Sequence, residues 1–320
     1  MSYDILKEIE ELKIQKDALI LAHYSEEGEI QDIADVVGDS FTLAKYGRES
    51  NKPVVLLAGV VFMAESVKLL SPDKTVLVPD LEASCSLVKE APFDAYLHWR
   101  RQHPEAIAVT YINSSTEVKS ISDVIVTSSN AAKIIESIPR DRPILFGPDK
   151  NLGAYLAKQT GREMILWPGT CQVHVLFSAR KLDELKQQHP QALVLAHPEC
   201  DETVLAYADV IGSTSRLLEE VKSNPSTEFI VATETGILHQ MQKYRPEAKL
   251  VQAPFEASCA CNNCPYMKLN SLEKIRHSLQ TLTPQIEVAP HLFEPAQLSL
   301  DRMMKISQGN PVQWPERFGH

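Results

Sequence analysis

The feature that most constrains this chain is that it says nearly the same thing three times. ALILAHY (18–24), IAVTYIN (107–113) and ALVLAHP (192–198) are apolar runs that end on a polar ring, at His23, Tyr111 and His197. Twelve positions beyond each ring stands an aspartate, Asp35, Asp123 or Asp209, followed by apolar residues and then hydroxyl side chains, in IADVVGDS, ISDVIVTSSN and YADVIGSTS. A further apolar run closes each unit, KTVLVPD, REMILWPGT and AKLVQAP, and cysteine follows each: Cys85, Cys171, and the cluster Cys259, Cys261 and Cys264. The stretches leading into the second and third units also align, RRQHPEAIAVTY with KQQHPQALVLAH. A fixed repeat dictates architecture before any local signal does, because each copy has to be the same supersecondary unit.

The unit is legible from its strands, which are continuously apolar rather than alternating and are separated by helical stretches such as SFTLAKYGRE, MAESVKLL, NAAKIIESI and SRLLEEVKS. That combination predicts a parallel sheet covered on both faces. The expected fold is therefore α/β, with three pseudo-threefold-related α/β/α sandwich domains around a central cluster site. The expected divisions are 1–88, 89–174 and 175–284, with 285–320 as a C-terminal capping helix and tail. In QLSLDRMMKIS the spacing of Leu298, Met303, Met304 and Ile306 predicts that helix, and GNPVQWPERFGH reads as an extended end. Ligands of parallel sheets bind beyond the carboxyl ends of the strands. His23, Tyr111, His197, Ser40, Ser128, Ser213 and Thr214 all fall there, so three inward-turned units would share one site.

Composition removes several classes of function. The amino-terminal MSYDILKEIEELKIQK is charged from its start and spaces Ile5, Ile9 and Leu12 as one helix face, unlike a signal peptide. No apolar run reaches the ~18 residues of a membrane span, so a cytoplasmic chain without membrane partners is expected. Six cysteines in a chain of 320 residues in a reducing compartment are expected to serve metal binding, catalysis or packing rather than disulfides. A net charge of −10 argues against nucleic acid, whereas a small anion responds to the local field of a cleft.

One cysteine from each repeat would bring three thiolates to the pseudo-threefold axis, and thiolates favour iron–sulfur clusters, zinc or copper(I). A four-iron cluster on three thiolates keeps one iron open as a Lewis acid. The plain alternative is that Cys85 and Cys171 are small buried hydrophobes. The third ligand has two candidates. Cys259 lies 62 residues beyond His197, as Cys85 lies 62 beyond His23, whereas Cys261-Asn-Asn-Cys264-Pro265 has the Cys-Pro ending of ferredoxin-type runs and points to Cys264. Ser40, Ser128, Ser213 and Thr214 stand where helix caps belong, and helix amino-termini also bind carboxylate or phosphate. His23, His197 and Glu199 are acid–base candidates, and His174, three residues after Cys171, would set an imidazole beside a thiolate. Tyr111 and Asn113 could donate hydrogen bonds to a carbonyl or carboxylate. His98, His103, His189 and His277 are assigned to structure.

Taken in order, LAHY…EIQDIADVVGDS, GVVFMAESVKLLSPDKTVLVPDLEASCSL, YINSSTEVKS, VIVTSSNA, FGPDKNLGAYLAKQTG, LWPGTCQVH, HPE, DVIGSTS and CNNCPYMKLNSLEKI closely resemble the quinolinate synthase family, over about residues 18–280. The resemblance implies an enzyme of NAD biosynthesis with a 4Fe-4S cluster. It would condense iminoaspartate with dihydroxyacetone phosphate to quinolinate, losing phosphate and two waters, with L-aspartate oxidase as a candidate partner. It implies Cys85, Cys171 and Cys264 as the ligands. It further implies His23, Tyr111, His197 and Glu199 as catalytic, and Ser40, Asn113, Ser128, His174, Ser213 and Thr214 as substrate-binding. The chain departs from the family pattern at Ser25, where a tyrosine is usual, at Val175, where a glutamate is common, and at Gly28, where proline is common. Ser25 motivates an alternative reading, a cluster-bearing sensor or binding protein with lost or altered activity. A zinc hydrolase is a third.

Overall fold

The computed structural model describes residues 2–256 and 262–319, so Cys259 and Cys261 lie outside the described residues. Each polar-ring run forms the first strand of a four-stranded, all-parallel sheet. The first sheet holds β1 (Ala18–His23), β2 (Val36–Gly38), β3 (Val54–Ala58) and β4 (Thr75–Leu77), in the order β2-β1-β3-β4. The second holds β5 (Ile107–Tyr111), β6 (Val124–Val126), β7 (Ile144–Gly147) and β8 (Met164–Leu166), ordered β6-β5-β7-β8. The third holds β9 (Leu193–Ala196), β10 (Val210–Ile211), β11 (Glu228–Ala232) and β12 (Lys249–Gln252), ordered β10-β9-β11-β12. With helices alternating between the strands, this is the expected α/β architecture in three copies. Every residue of β3 and β5 is buried, as strands covered on both faces must be.

The repeated aspartate has a structural cause. β1 begins to pair with β2 at Leu21, so Ile20 faces a place the second strand has not yet reached. Asp35 fills it: its backbone N–H donates to the Ile20 carbonyl at 2.9 Å, and its carboxylate accepts the Ile20 amide at 2.9 Å. Asp123 accepts the Ala108 amide at 2.7 Å and Asp209 the Val194 amide at 2.8 Å, again just before pairing starts. A cation from the preceding helix meets each carboxylate, Lys13 at 3.0 Å, Arg100 at 2.7 Å and Lys186 at 2.9 Å. A buried amide without a partner is costly, so the staple recurs wherever the strand exchange recurs.

Two helices cross the boundaries of the repeats. Helix Leu272–Thr281 buries Leu272, Ile275 and Leu279 with Ile5, Ile9 and Ile20, so a segment late in the sequence covers the first sheet. Helix Pro290–Ser307 buries Leu300, Met303, Met304 and Ile306 in one core with strands of both the first and second sheets. Leu298 departs from the expected spacing. Ala296, Ser299 and Leu300 turn inward with the methionines, which leaves Leu298 on the outer face, 48 % exposed. The tail is tied down as well. The Phe318 amide donates to the Pro104 carbonyl at 2.7 Å, and its ring lies 4.5 Å from the Arg100 guanidinium. Among the described residues no helix is long and apolar enough to cross a membrane.

Candidate active site and metal centre

The carboxyl ends of the three sheets converge on one cavity, lined by residues of all three repeats. Each repeat contributes the ring that ends its first strand and the residue two positions on: His23 with Ser25, Tyr111 with Asn113, His197 with Glu199. This pairing follows from backbone geometry, since residues two apart on an extended segment share a side. It also sends Tyr24 the other way, into a core with Leu195, Leu217 and Phe229. Tyr24 therefore cannot supply the phenol that Ser25 lacks.

The two histidines have the same local arrangement. The Ser25 amide donates to His23 Nδ1 at 3.1 Å, and the Glu199 amide donates to His197 Nδ1 at 3.3 Å. With Nδ1 accepting, the proton of each neutral ring sits on Nε2. Burial keeps both rings neutral, lowering His23 to about 4 and His197 to about 3. Nε2 of His197 lies 3.3 Å from the Ser128 hydroxyl, while Nε2 of His23 has no partner among the described residues.

Around Glu199 the polar groups form a chain. Its carboxylate is 2.7 Å from His174 Nδ1, and His174 Nε2 is 2.9 Å from the Thr233 hydroxyl. The rings of His174 and His197 stack at 4.7 Å. Burial alone would raise the Glu199 carboxyl, but the flanking imidazoles and the hydrogen bonds from His174 and Tyr111 hold it well below the usual carboxylate range. Tyr111 moves the other way, as burial and the neighbouring Glu199 charge keep its phenol protonated. Asn113 Oδ1 is buried without a partner among the described residues.

Cys85, Cys171 and Cys264, one from each repeat in chain order, line this same cavity. Burial pushes the Cys85 thiol up to about 12 and raises Cys171 and Cys264 as well. His174 Nδ1 lies 3.2 Å from Cys171 Sγ, as the spacing suggested. Cys171, His174 and Glu199 present donor atoms within 4.8 Å of one another. Cys200 is instead fully buried in the core of the third repeat, where its thiol donates to the Ala232 carbonyl at 3.4 Å.

The hydroxyl residues divide differently from the capping expectation. Ser40, Ser128 and Thr214 line the cavity, and Ser213 does not. Ser213 is the only one of the four that caps, accepting the Arg216 amide at 3.3 Å. Asp39 and Asn130 hold the other two cap positions. The repeat could have separated these roles, because Ser40, Ser128 and Thr214 each stand five residues past the repeated aspartate. Gly28 packs where a Cβ would come 2.7 Å from His239 Nδ1, and Val175 is 38 % exposed, outside the cavity.

Several polar residues around the cavity were given no role by the sequence reading, although Asp149, Lys268 and Asn270 lie within segments quoted there. Glu234 lines the cavity and accepts the Cys264 amide at 3.1 Å, and buried Asp149 accepts the Cys171 amide at 3.1 Å. Lys268 donates to the Ser25 carbonyl at 3.0 Å and lies 3.4 Å from Glu234. Glu26 is fully buried and bonded to Asn270 at 2.8 Å, and burial raises it to about 8. Gly236 lets the backbones of the first and third repeats touch here, since a Cβ would come 2.6 Å from the Tyr24 carbonyl.

Known proteins extend the similarity to nearly the whole chain. Residues 7–305 match the family described as NadA, quinolinate synthetase A protein. The quinolinate synthase of Chloroherpeton thalassium is 49 % identical over 306 residues, 95 % of either chain. That of a Nostoc species is 48 % identical over 304 residues, covering 95 % of this chain and 94 % of the relative. That of Prochlorococcus marinus is 49 % identical over 300 residues, 94 % and 90 % of the two chains. Near-identity in length leaves no part of the repeat architecture outside the match, and the chain belongs to the quinolinate synthase family.

Proposed function

We propose that the protein condenses iminoaspartate with dihydroxyacetone phosphate to form quinolinate in the cytoplasm, with a 4Fe-4S cluster held by Cys85, Cys171 and Cys264. The observation that carries this reading is the arrival of one thiol from each repeat at a single cavity that also bears hydroxyls, imidazoles and a carboxylate. The donor set fits the cluster. Three half-buried thiols whose pKa values are raised by desolvation stay protonated unless a cation offsets the cost of ionising them, and a soft, sulfur-preferring centre does so. When bound, the cluster supplies an iron without a protein ligand, a Lewis acid for removing hydroxyl groups. The closeness of Cys171, His174 and Glu199 is accounted for by the hydrogen bond between His174 and Glu199, so it does not itself call for a zinc ion.

The residues supply the remaining chemistry. His23 and His197, neutral with Nε2 protonated, donate hydrogen bonds without carrying charge. The hydroxyls of Ser40 and Thr214, at the first turns of ten-residue helices, together with Ser128, suit the carboxylates and phosphate of the substrates. Asn113 Oδ1 is free to accept from the substrate nitrogen, and Tyr111 orients the dicarboxylate half. Glu199, ionised and fixed by His174, takes and returns the proton in imine–enamine exchange. Ser25 leaves open the volume a phenol would fill. An aspartate-oxidising enzyme that makes the unstable imine would be a natural partner.

Protein purified without air should contain iron and sulfide and make quinolinate from the two substrates. Cys85→Ala, Cys171→Ala and Cys264→Ala should each lose cluster and turnover, while Cys200→Ala and Cys259→Ala keep both. Colourless protein carrying zinc would sink the cluster reading. Cluster-replete protein that makes no quinolinate would favour the sensor alternative raised by Ser25.

A further inference from the structure

Two buried carboxylates are arranged alike behind the metal centre. Asp149 lies two residues past β7 and Glu234 two residues past β11, the same place in successive repeats. Asp149 splits its oxygens, Oδ1 accepting the Leu152 amide at 2.7 Å and Oδ2 the Cys171 amide at 3.1 Å. Glu234 does the same, Oε2 accepting the Gly236 amide at 2.7 Å and Oε1 the Cys264 amide at 3.1 Å. One oxygen thus holds the residue's own loop, and the other holds the backbone of a cysteine from the neighbouring loop. Both side chains are buried, at 0 % and 4 % exposure. Helix capping accounts for the Leu152 contact alone, because a neutral cap would serve it as well.

The first repeat differs. Val60 occupies the equivalent place two residues past β3 and has no side-chain acceptor. There the tie runs through backbone only, the Val61 amide donating to the Ala83 carbonyl at 2.7 Å, two residues before Cys85.

Resting on the reading that the three thiols are ligands, we propose that Asp149 and Glu234 are positioning residues for the metal centre. Each fixes the backbone of one ligand cysteine and thereby the direction in which its sulfur points. A ligand loop held by a polar partner is ordered before the metal arrives, and losing such a partner typically weakens metal binding ~10–100-fold. The proposal predicts that two of the three sulfur ligands depend on a side chain that never touches the metal, and that the Cys85 loop does not.

The test uses anaerobically purified holoenzyme and measures iron transfer to a chelator, together with the visible spectrum. Asp149→Ala and Glu234→Ala should release iron ~10–100-fold more readily than wild type. Asp149→Asn and Glu234→Gln keep an oxygen that can accept the cysteine amide, and should restore retention. Alanine variants that hold iron as wild type does, with an unchanged spectrum, would overturn the proposal, as would isosteric variants that fail as badly as alanine. Cys171→Ala and Cys264→Ala are run beside them: if these keep the full iron complement, the ligand reading itself is wrong. Should the alanine variants not fold, hydrogen exchange in the wild-type apoprotein decides. Slow exchange at the Cys171 and Cys264 amides supports the clamp, and fast exchange refutes it.

Discussion

The two ends of the first strands of the repeats obey different rules. At the feet, Asp35, Asp123 and Asp209 make the same hydrogen bonds to the same strand positions, and each meets a cation from the preceding helix. At the cavity ends the same strands lead to His23 with Ser25, Tyr111 with Asn113 and His197 with Glu199, where two rings share an arrangement but no two pairs carry the same side chains. The feet solve one problem three times, an amide that the next strand has not reached. The cavity ends share a direction but divide the labour of one asymmetric site. Substitutions at the feet should therefore register in stability, and those at the cavity ends in turnover.

The largest effect is expected at Glu199. Glu199→Gln removes a positioned proton carrier and should lower kcat/KM ~10²–10⁴-fold, with a smaller loss in urea, because a carboxyl held below its usual range stabilises the fold at neutral pH and an amide does not. A matching loss of stability would erase the distinction between the two ends. At the feet the most costly change is Asp123→Ala. Its partner Arg100 has a side chain only 1 % exposed, pinned beneath Phe318, so removing the carboxylate leaves a buried guanidinium unpaired. Destabilisation of about 3–5 kcal/mol is expected by urea titration, while protein that remains folded keeps its iron.

A third test concerns charge buried beside the cavity. Glu26 is fully buried and raised to about 8 from an ordinary 4.5, so between those values the folded protein holds a proton that the unfolded chain gives up. Wild type consequently loses stability as pH rises through that window. Glu26→Gln has no proton to lose and should gain on wild type from pH 4.5 to 8, by on the order of 4 kcal/mol at the upper end. The buried histidines act in the opposite sense. His23 and His197 resist protonation in the fold, which disfavours the folded state as pH falls below 6.5 toward about 4 and about 3. A difference between variant and wild type that does not vary with pH would mean that Glu26 is not held protonated.

What the sequence revealed and what it hid divide along the same line. The repeat carried the strands, the polar rings and the aspartates, because each recurs at a fixed interval; it carried Cys85 and Cys171 too, whereas Cys264 came from the Cys-Pro pattern and not from the interval. It was silent on Glu234, Lys268 and Glu26, which act where chain segments distant in sequence meet. Helix Leu272–Thr281 covering the first sheet is hidden for the same reason, since amphipathic spacing tells which face is buried but not against what. A hydroxyl at a strand end suits a cap and an anion site equally, and only the direction of the side chain, toward the Arg216 amide in Ser213, tells which contact it makes.

The smallest effect tests which contact at the feet maintains the repeat. Asp209 meets both the buried Val194 amide and the ammonium of Lys186, whose side chain is 32 % exposed beside a carboxylate 39 % exposed. Solvent screens such a pair, so Lys186→Met should cost no more than about 1 kcal/mol. Asp209→Ala additionally leaves the Val194 amide without its acceptor inside the protein and should cost about 1–3 kcal/mol. If the two variants proved equally destabilised in urea, the ion pair rather than the amide would be the reason for an aspartate at this position. The recurring Lys, Arg and Lys of the preceding helices would then belong to the repeat as firmly as the aspartates do. The expected inequality makes the cations accessory, and explains why a half-buried lysine and a buried arginine can fill the same place.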